Sequence, residues 1–349
     1  MSTLEDVRER LTEVRPAGLN RDIVAAGLVR DVDLRDGIVT VTLLPGPLPA
    51  SIRDATVADI ERAVGALPGV RRVAVQVARA PEQAMTPIPG VADIIAVAST
   101  KGGVGKSTVA VNLACALARS GQRVGILDAD IYGPSLPTML GLSGRPRVGE
   151  ENKVFPLEKY GLRAMSMGFF LEESSPVIWR GPLVTGLLRQ FLKDVQWGEL
   201  DQLIIDLPPG TGDAQLTLAQ QVPLSGGVVV TTPQAVSVID VERGIAMLNQ
   251  VNTPLLGLVE NMSEYVCAHC GTRDAIFGSG GAAALAERFA VPVLARIPLE
   301  PAVRASGDAG TPIVVDRPEH PVSRAYLELA EHVLDGVEAA RSAAPRIVG

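Results

Sequence analysis

Aromatic side chains are scarce in this chain of 349 residues, at 3%, so its core must be built from aliphatic residues. Cysteine is scarcer still: three residues, unevenly spaced, cannot form a disulfide framework, and a reducing compartment disfavours one. No stretch approaches the roughly 18 uninterrupted apolar residues of a membrane-spanning helix. The N-terminus, MSTLEDVRER, is charged and lacks the apolar centre of a signal peptide, so a cytoplasmic location is expected. Positive charge is also in deficit, with a formal net charge of −7. That balance argues against nucleic acid and anionic membrane as general partners, because both need a basic surface. What is plentiful is Gly (35) and Pro (26), hence frequent sharp turns, in a composition that is 47% hydrophobic and 20% charged. This is ordinary for a globular protein, and the length suffices for a large core plus a satellite module.

The pattern along the chain predicts two domains. Residues 4–14 have helical periodicity, and residues 27–34 and 38–44 alternate as strands around Asp36-Gly37, a strong hairpin signal. A second helix at 52–67 and a strand at 70–77 complete an α-β-β-α-β unit, placed at residues 1–79. Residues 80–92 carry Pro81, Pro87 and Pro89 without apolar periodicity and read as a linker. From Asp93 to the end, short apolar runs at 94–98, 124–127, 203–205, 228–230, 255–259 and 293–297 alternate with helical patterns. Near-continuous apolar strands separated by helices predict an α/β fold: a doubly wound, mainly parallel sheet covered on both faces. A final helix is expected at 322–340.

Between the first of those strands and a helical run lies Lys101-Gly102-Gly103-Val104-Gly105-Lys106-Ser107-Thr108. A glycine-rich turn lets successive backbone N–H groups converge on one phosphate, and the helix that follows points its positive end there. Lys106 would reach the β- and γ-phosphates of ATP, and the Ser107 hydroxyl would ligate Mg2+. Asp128-Ala129-Asp130 ends the second strand, where charged groups face the ligand crevice of such folds. Leu203-Ile204-Ile205-Asp206 is a buried strand ending in a carboxylate, which hydrated Mg2+ would neutralise.

Cys267-Ala268-His269-Cys270 is the second chemical feature. Two thiolates at this spacing can bind one metal or cluster, because the turn aims both sulfurs to one side. Two ligands are too few for a complete site, so other residues must complete it, or two chains must each contribute a pair across a twofold axis. Cys115, amid Val111, Ala114 and Leu117 on a helix, reads as core. Four thiolates from two chains is therefore the economical solution. Structural zinc is the competing one, and a redox pair fits poorly in a segment (263–281) that reads as a loop before a helix. His269 lies between the cysteines and is expected to point away.

The phosphate loop has Thr100 where the usual first glycine stands and adds Lys101. In this it resembles the deviant Walker A ATPases (MinD, ParA, the nitrogenase iron protein, the arsenite-pump ATPase). That resemblance implies that Lys101 reaches across a dimer to the partner's nucleotide. It also implies that Asp130 orients the attacking water in switch I, that Gly210 in Leu207–Asp213 offers a free N–H to the γ-phosphate, and that Asn261 reads adenine. With the thiol pair added, residues from about 93 to 317 resemble the Mrp/ApbC family of iron–sulfur carriers. Shared phrases are Asp128–Ser135, Ile178–Pro182, Asp206–Asp213, Glu260–Ser263, Cys267–Gly271 and Arg296–Pro301. The implied protein is a homodimeric, slowly hydrolysing ATPase that passes a cluster, of the [4Fe-4S] type, from a scaffold to apo-proteins. The N-terminal unit resembles a small iron–sulfur-assembly domain. It has no cysteine in 45–50, where such domains commonly carry one, which implies docking rather than cluster binding.

Two other functions compete. A positioning ATPase of the MinD/ParA kind needs a basic surface or an amphipathic membrane helix, and the acidic stretch 322–340 offers neither. A zinc-stabilised, non-catalytic scaffold would not need Lys106, Asp130 and Asp206 intact.

Overall fold

The structure, a computed structural model, describes residues 3–16, 22–35, 37–43, 50–77, 87–170, 181–210, 213–234, 236–267 and 269–343. Asp36 of the hairpin signal, most of the prolyl loop at 45–50 and of the linker, the start of the Ile178–Pro182 phrase, Thr211 and Gly212 lie outside the described residues. The chain divides into two compact units, Met1–Ala84 and Met85–Gly349.

The first unit runs α1 (Leu4–Leu11), β1 (Val29–Arg35), β2 (Ile38–Leu43), α2 (Ala50–Gly65) and β3 (Arg72–Val77), the order read from the sequence. Helix α1 begins where it does because Thr3 and Asp6 form a reciprocal cap. The Thr3 hydroxyl accepts from the Asp6 N–H, and the Asp6 carboxylate accepts from the Thr3 N–H. β2 is the middle strand, antiparallel to β1 and parallel to β3. Val39 and Val41 of β2 pack with Val7 and Leu11 of α1 and Ile60 and Val64 of α2, all buried.

The second unit continues with β4 (Val91–Ala98), α3 (Lys106–Arg119), β5 (Val124–Asp128), α4 (Leu136–Leu140), β6 (Leu157–Lys159) and β7 (Leu162–Ser166). Then come α5 (Gly181–Asp194), β8 (Leu200–Asp206), α6 (Asp213–Ala219), β9 (Gly226–Thr231), α7 (Val236–Gln250) and β10 (Leu255–Val266). The last elements are β11 (Arg273–Asp274), α8 (Gly281–Phe289), β12 (Val293–Leu299), α9 (Pro301–Asp308), α10 (Ile313–Asp316) and α11 (Pro321–Ala343). The strands join in the order β11-β10-β9-β4-β8-β5-β7-β6, with β12 also paired to β10. All pairings are parallel except β6–β7 and β10–β11.

Side-chain alternation sorts the core into two layers. On β4, Ile95 and Val97 face one way and meet Leu113 and Leu117 of α3 and Tyr326 and Leu329 of α11. Ile94, Ala96 and Ala98 face the other way, toward Phe191, Trp197 and Leu248. The apolar side of α11 (Val322, Tyr326, Leu329, Val333, Val337) is thus spent on the core. Among the described residues no helix is long and apolar enough to cross a membrane.

The structure adds elements that the sequence pattern conceals. The β6–β7 hairpin turns through Tyr160 (φ +54°) and Gly161 (φ +77°), two left-handed residues in sequence. That turn geometry usually advertises itself as Asn-Gly or Asp-Gly, and a tyrosine in its first position hides it. The open loop expected at 263–281 is also corrected: β10 runs on to Val266, because Tyr265 pairs with Leu299 of β12 and with Asp274 of β11.

Candidate functional site

Strand β4 is central, and it ends in the glycine-rich loop that leads into α3. Gly103 and Gly105 hold left-handed backbone (φ +83° and +79°), and Gly105 is the N-cap of α3. No side chain caps that helix, so its first-turn N–H groups are left for an anion. The loop borders a cavity of about 260 Å3 that also meets Asp130, Gly133 and Pro209. Adjoining it on the Gly105 side is a second cavity of about 370 Å3, lined by Asn261, Met262, Pro298 and Glu300 among others.

Lys106 is buried, and its ammonium group pairs with the Asp206 carboxylate and lies 3.3 Å from the Ser107 hydroxyl. Burial drives the Asp206 carboxyl above its ordinary range, and the adjacent Lys106 opposes that shift. Asp128 faces Asp206 across the β5–β8 register. Burial, followed by repulsion from Asp206, raises the Asp128 carboxyl to about 7. Both Asp128 oxygens fold the loop that carries Asp130. Oδ1 accepts from the Asp130 N–H (3.0 Å), and Oδ2 accepts from Ser135 N–H (3.1 Å), Leu136 N–H (3.2 Å) and the Ser166 hydroxyl (3.1 Å). Asp130 itself is half-buried and accepts from the Gly133 N–H (3.2 Å). Lys101, Gly102 and Gly103 are exposed, while Ser107 and Thr108 are half-buried.

Two expectations meet different geometry. The Gly210 N–H is not free: it donates to the Ser99 carbonyl (3.0 Å). Asn261 is buried, and its Nδ2 donates to the Val104 carbonyl (2.8 Å), so it braces the phosphate loop. A Cβ on Gly105 would overlap that amide and displace the brace, and the left-handed φ of +79° favours glycine independently.

β10 continues past this brace to the thiols. Glu260, buried at 3% exposure, accepts from the Ala282 N–H at the start of α8 (3.1 Å) and pairs with Arg296 (3.3 Å). The β10–β12 register then shifts between Asn261 and Tyr265, and Met262 between them is left-handed at φ +55°. Such a conformation costs a side-chain-bearing residue about 1–2 kcal/mol. Sequence reasoning passed over Glu260 as an individual residue. The signal available was the one used for Asp206, a carboxylate closing a buried apolar strand. Met262 offers no such signal.

Cys267 follows β10 directly, half-buried, and Cys270 is exposed at the hairpin tip. The Gly271 N–H donates to the Cys267 carbonyl (2.9 Å) and the Cys267 N–H to the Thr272 carbonyl (2.9 Å). Thr272, first through its hydroxyl and then through its N–H, holds the Cys270 thiol below its usual value. Burial instead pushes Cys115 up to about 12, a protonated core thiol. Among the described residues no group of three or more His, Cys, Asp or Glu could hold a metal ion.

Residues 90–334 match the family model described as the NUBPL iron-transfer P-loop NTPase, and residues 4–77 match that of an iron–sulfur cluster assembly protein. The iron–sulfur cluster carrier protein of Synechocystis is 45% identical over 97% of this chain and 99% of its own length. Among solved structures, a nucleotide-binding protein from Archaeoglobus fulgidus in complex with ADP is 41% identical. The match covers 68% of this chain and 93% of that one, with a TM-score of 0.60. The cell-division ATPase MinD of Pyrococcus furiosus is 25% identical over 70% of this chain and 98% of its own, with a TM-score of 0.53.

Proposed function

Since this chain belongs to the iron-transfer P-loop NTPase family, we propose that it is a homodimeric cluster carrier driven by slow ATP hydrolysis. In this reading it takes a [4Fe-4S] cluster from assembly machinery in the cytoplasm and passes it to apo-proteins. The observation that carries it is one strand: β10 braces the phosphate loop at Asn261 and leads into the cysteine pair at its end.

At the nucleotide end, the loop N–H groups of Gly102, Gly103, Val104 and Gly105 and the first turn of α3, including Thr108, cradle the phosphates. Lys106 would exchange Asp206 for the β- and γ-phosphates, and the Asp206 carboxylate and Ser107 hydroxyl would then hold hydrated Mg2+, which would supply charge neutralisation to the phosphates. Asp130 orients the attacking water, Lys101 acts across the dimer, and Gly210 turns its N–H from Ser99 to the γ-phosphate. The larger cavity takes adenine, with the Asn261 amide at its wall. The domain division follows the sequence reading, with residues 1–79 as a docking module, 80–92 as linker and 93–349 as motor and carrier.

At the thiol end, Cys267 and Cys270 hold the cargo together with the same pair from a second copy. Reconstitution with iron and sulfide under anaerobic conditions tests this. Four irons per two chains are expected, lost in both Cys267→Ala and Cys270→Ala while ATP binding persists. A full cluster on a monomer would overturn the bridging, and zinc that iron and sulfide cannot displace would favour a structural role.

A further inference from the structure

We infer that Thr272 makes the two cargo sulfurs unequal, so that the cluster is released first by Cys270 and last by Cys267. This rests on the pair being the cargo ligand. The inequality is built into the hairpin. Cys267 is half-buried against the end of β10, whereas Cys270 stands exposed at the tip. The Cys270 sulfur lies 3.1 Å from the Thr272 hydroxyl. Once that sulfur is bound to iron as a thiolate it carries no proton, so the hydroxyl must be the donor. Among the described residues the side-chain partner of the Cys267 sulfur is the Cys270 thiol itself, not a hydroxyl.

The hydroxyl is held in place rather than free to wander. Gly271 reverses the chain with left-handed backbone (φ +69°), and the Cys267–Thr272 and Gly271–Cys267 backbone bonds close the turn. Pairing of Tyr265 with Asp274 and of Val266 with Arg273 fixes the strands behind it, with Arg273 ion-paired to Glu264.

A hydrogen bond to a thiolate draws electron density from the sulfur, weakens its donation to the metal and stabilises it as a leaving group. Exposure adds access for an incoming ligand. The exchange is balanced without redox: a client thiol's sulfur forms a bond to iron, the iron–Cys270 bond breaks, and the client's proton passes to the Cys270 sulfur. Cys267 keeps the cluster attached through that step, so no free cluster meets water. The client class that fits is a protein with its own exposed cysteine thiols.

The test compares Thr272→Val, which keeps shape and loses the hydroxyl, with Thr272→Ser, which keeps the hydroxyl. The full chain is first titrated with cobalt(II). The sulfur-to-cobalt charge-transfer band should move to longer wavelength in Thr272→Val and stay in place in Thr272→Ser. The iron- and sulfide-loaded chain is then mixed with a dithiol acceptor peptide, and transfer is followed by absorption. Transfer should slow about threefold to tenfold in Thr272→Val, the range one hydrogen bond spans, with Thr272→Ser near wild type. Equal rates in wild type and Thr272→Val, or equal slowing in both variants, would overturn the release order. Iron loading that survives both Cys267→Ala and Cys270→Ala would instead overturn the reading of the pair itself.

Discussion

The two chemical ends of this molecule are built on opposite principles. The phosphate end is dense: Lys106, Asp206, Asp128 and Asn261 are all buried, each with a named partner, and Gly105 is closely fitted against the Asn261 amide. The thiol end is a two-residue-wide hairpin with Cys270 in solvent. A site that must stabilise charge during a reaction gains from fixed dipoles in a dry setting. A site that must hand over what it holds needs exposure, and its ligands can wait for a partner to complete them. The difference teaches that damage should be cooperative at the first end and local at the second.

The strongest test of that contrast is Lys106→Ala. It removes the charge that the proposed function assigns to the transferred phosphoryl group, and it leaves Asp206 buried without its cation. ATP turnover should fall by at least about 10²–10³-fold, measured by phosphate release. Thermal stability should fall too, because an unpaired buried carboxylate is costly. Turnover near that of the parent would remove the phosphate-loop assignment.

Next come Asp130→Ala and Lys101→Ala, each expected to lower kcat by more than it raises KM, since the proposed function has both residues act mainly in the transition state. Mixing the two variant proteins sharpens the comparison. If Lys101 works across the dimer, a mixed dimer collects both defects in one site and leaves the other whole, so activity should recover on mixing. No recovery would place Lys101 in its own chain's site.

A smaller effect concerns pH. The Asp128 carboxyl is raised to about 7, above the unfolded value of 3.8. Between those values the folded chain holds a proton that the unfolded chain has released. Its contribution to stability is therefore present at low pH and is lost as pH rises through about 7. Chemical denaturation measured without nucleotide should show Asp128→Asn flattening that decline. An unchanged slope would mean that another group sets it.

The smallest expected change is Cys115→Ala. This thiol belongs to the α3 core, so the variant should lose only about 1 kcal/mol of stability and keep its iron. Loss of iron would show that the protein's third thiol is no mere core residue.

Much of this was legible in the sequence, and the reasons are physical. The parallel strands were readable because burial on both faces writes them as unbroken apolar runs, as in Ile94–Ala98. The phosphate loop was readable because backbone N–H groups can converge only where glycines permit it. What stayed hidden depends on contacts between distant segments. The β6–β7 hairpin lacks the usual turn residues, and the extension of β10 beyond Asn261 is stabilised by pairing with β11 and β12, not by its own composition. The Asn261 brace joins residues 157 positions apart, which no local pattern reports. Thr272 is an ordinary turn residue until the hairpin folds it beside Cys270.

The left-handed Met262 also has a mechanical meaning. β10 is tied on both sides of it: before it Asn261 grips the phosphate loop and Glu260 grips α8, and after it Tyr265 pairs with Leu299 of β12 and Asp274 of β11, with Cys267 five residues beyond it. Five extended residues make an arm of about 17 Å. With Met262 as fulcrum, a tilt of about 5° carries the end of that arm through roughly 1.5 Å, comparable to the length of a covalent bond. On the proposed function, a small shift of the phosphate loop would be enlarged at the sulfurs only by a movement that carries β11 and the end of β12 along, since both pair with this arm.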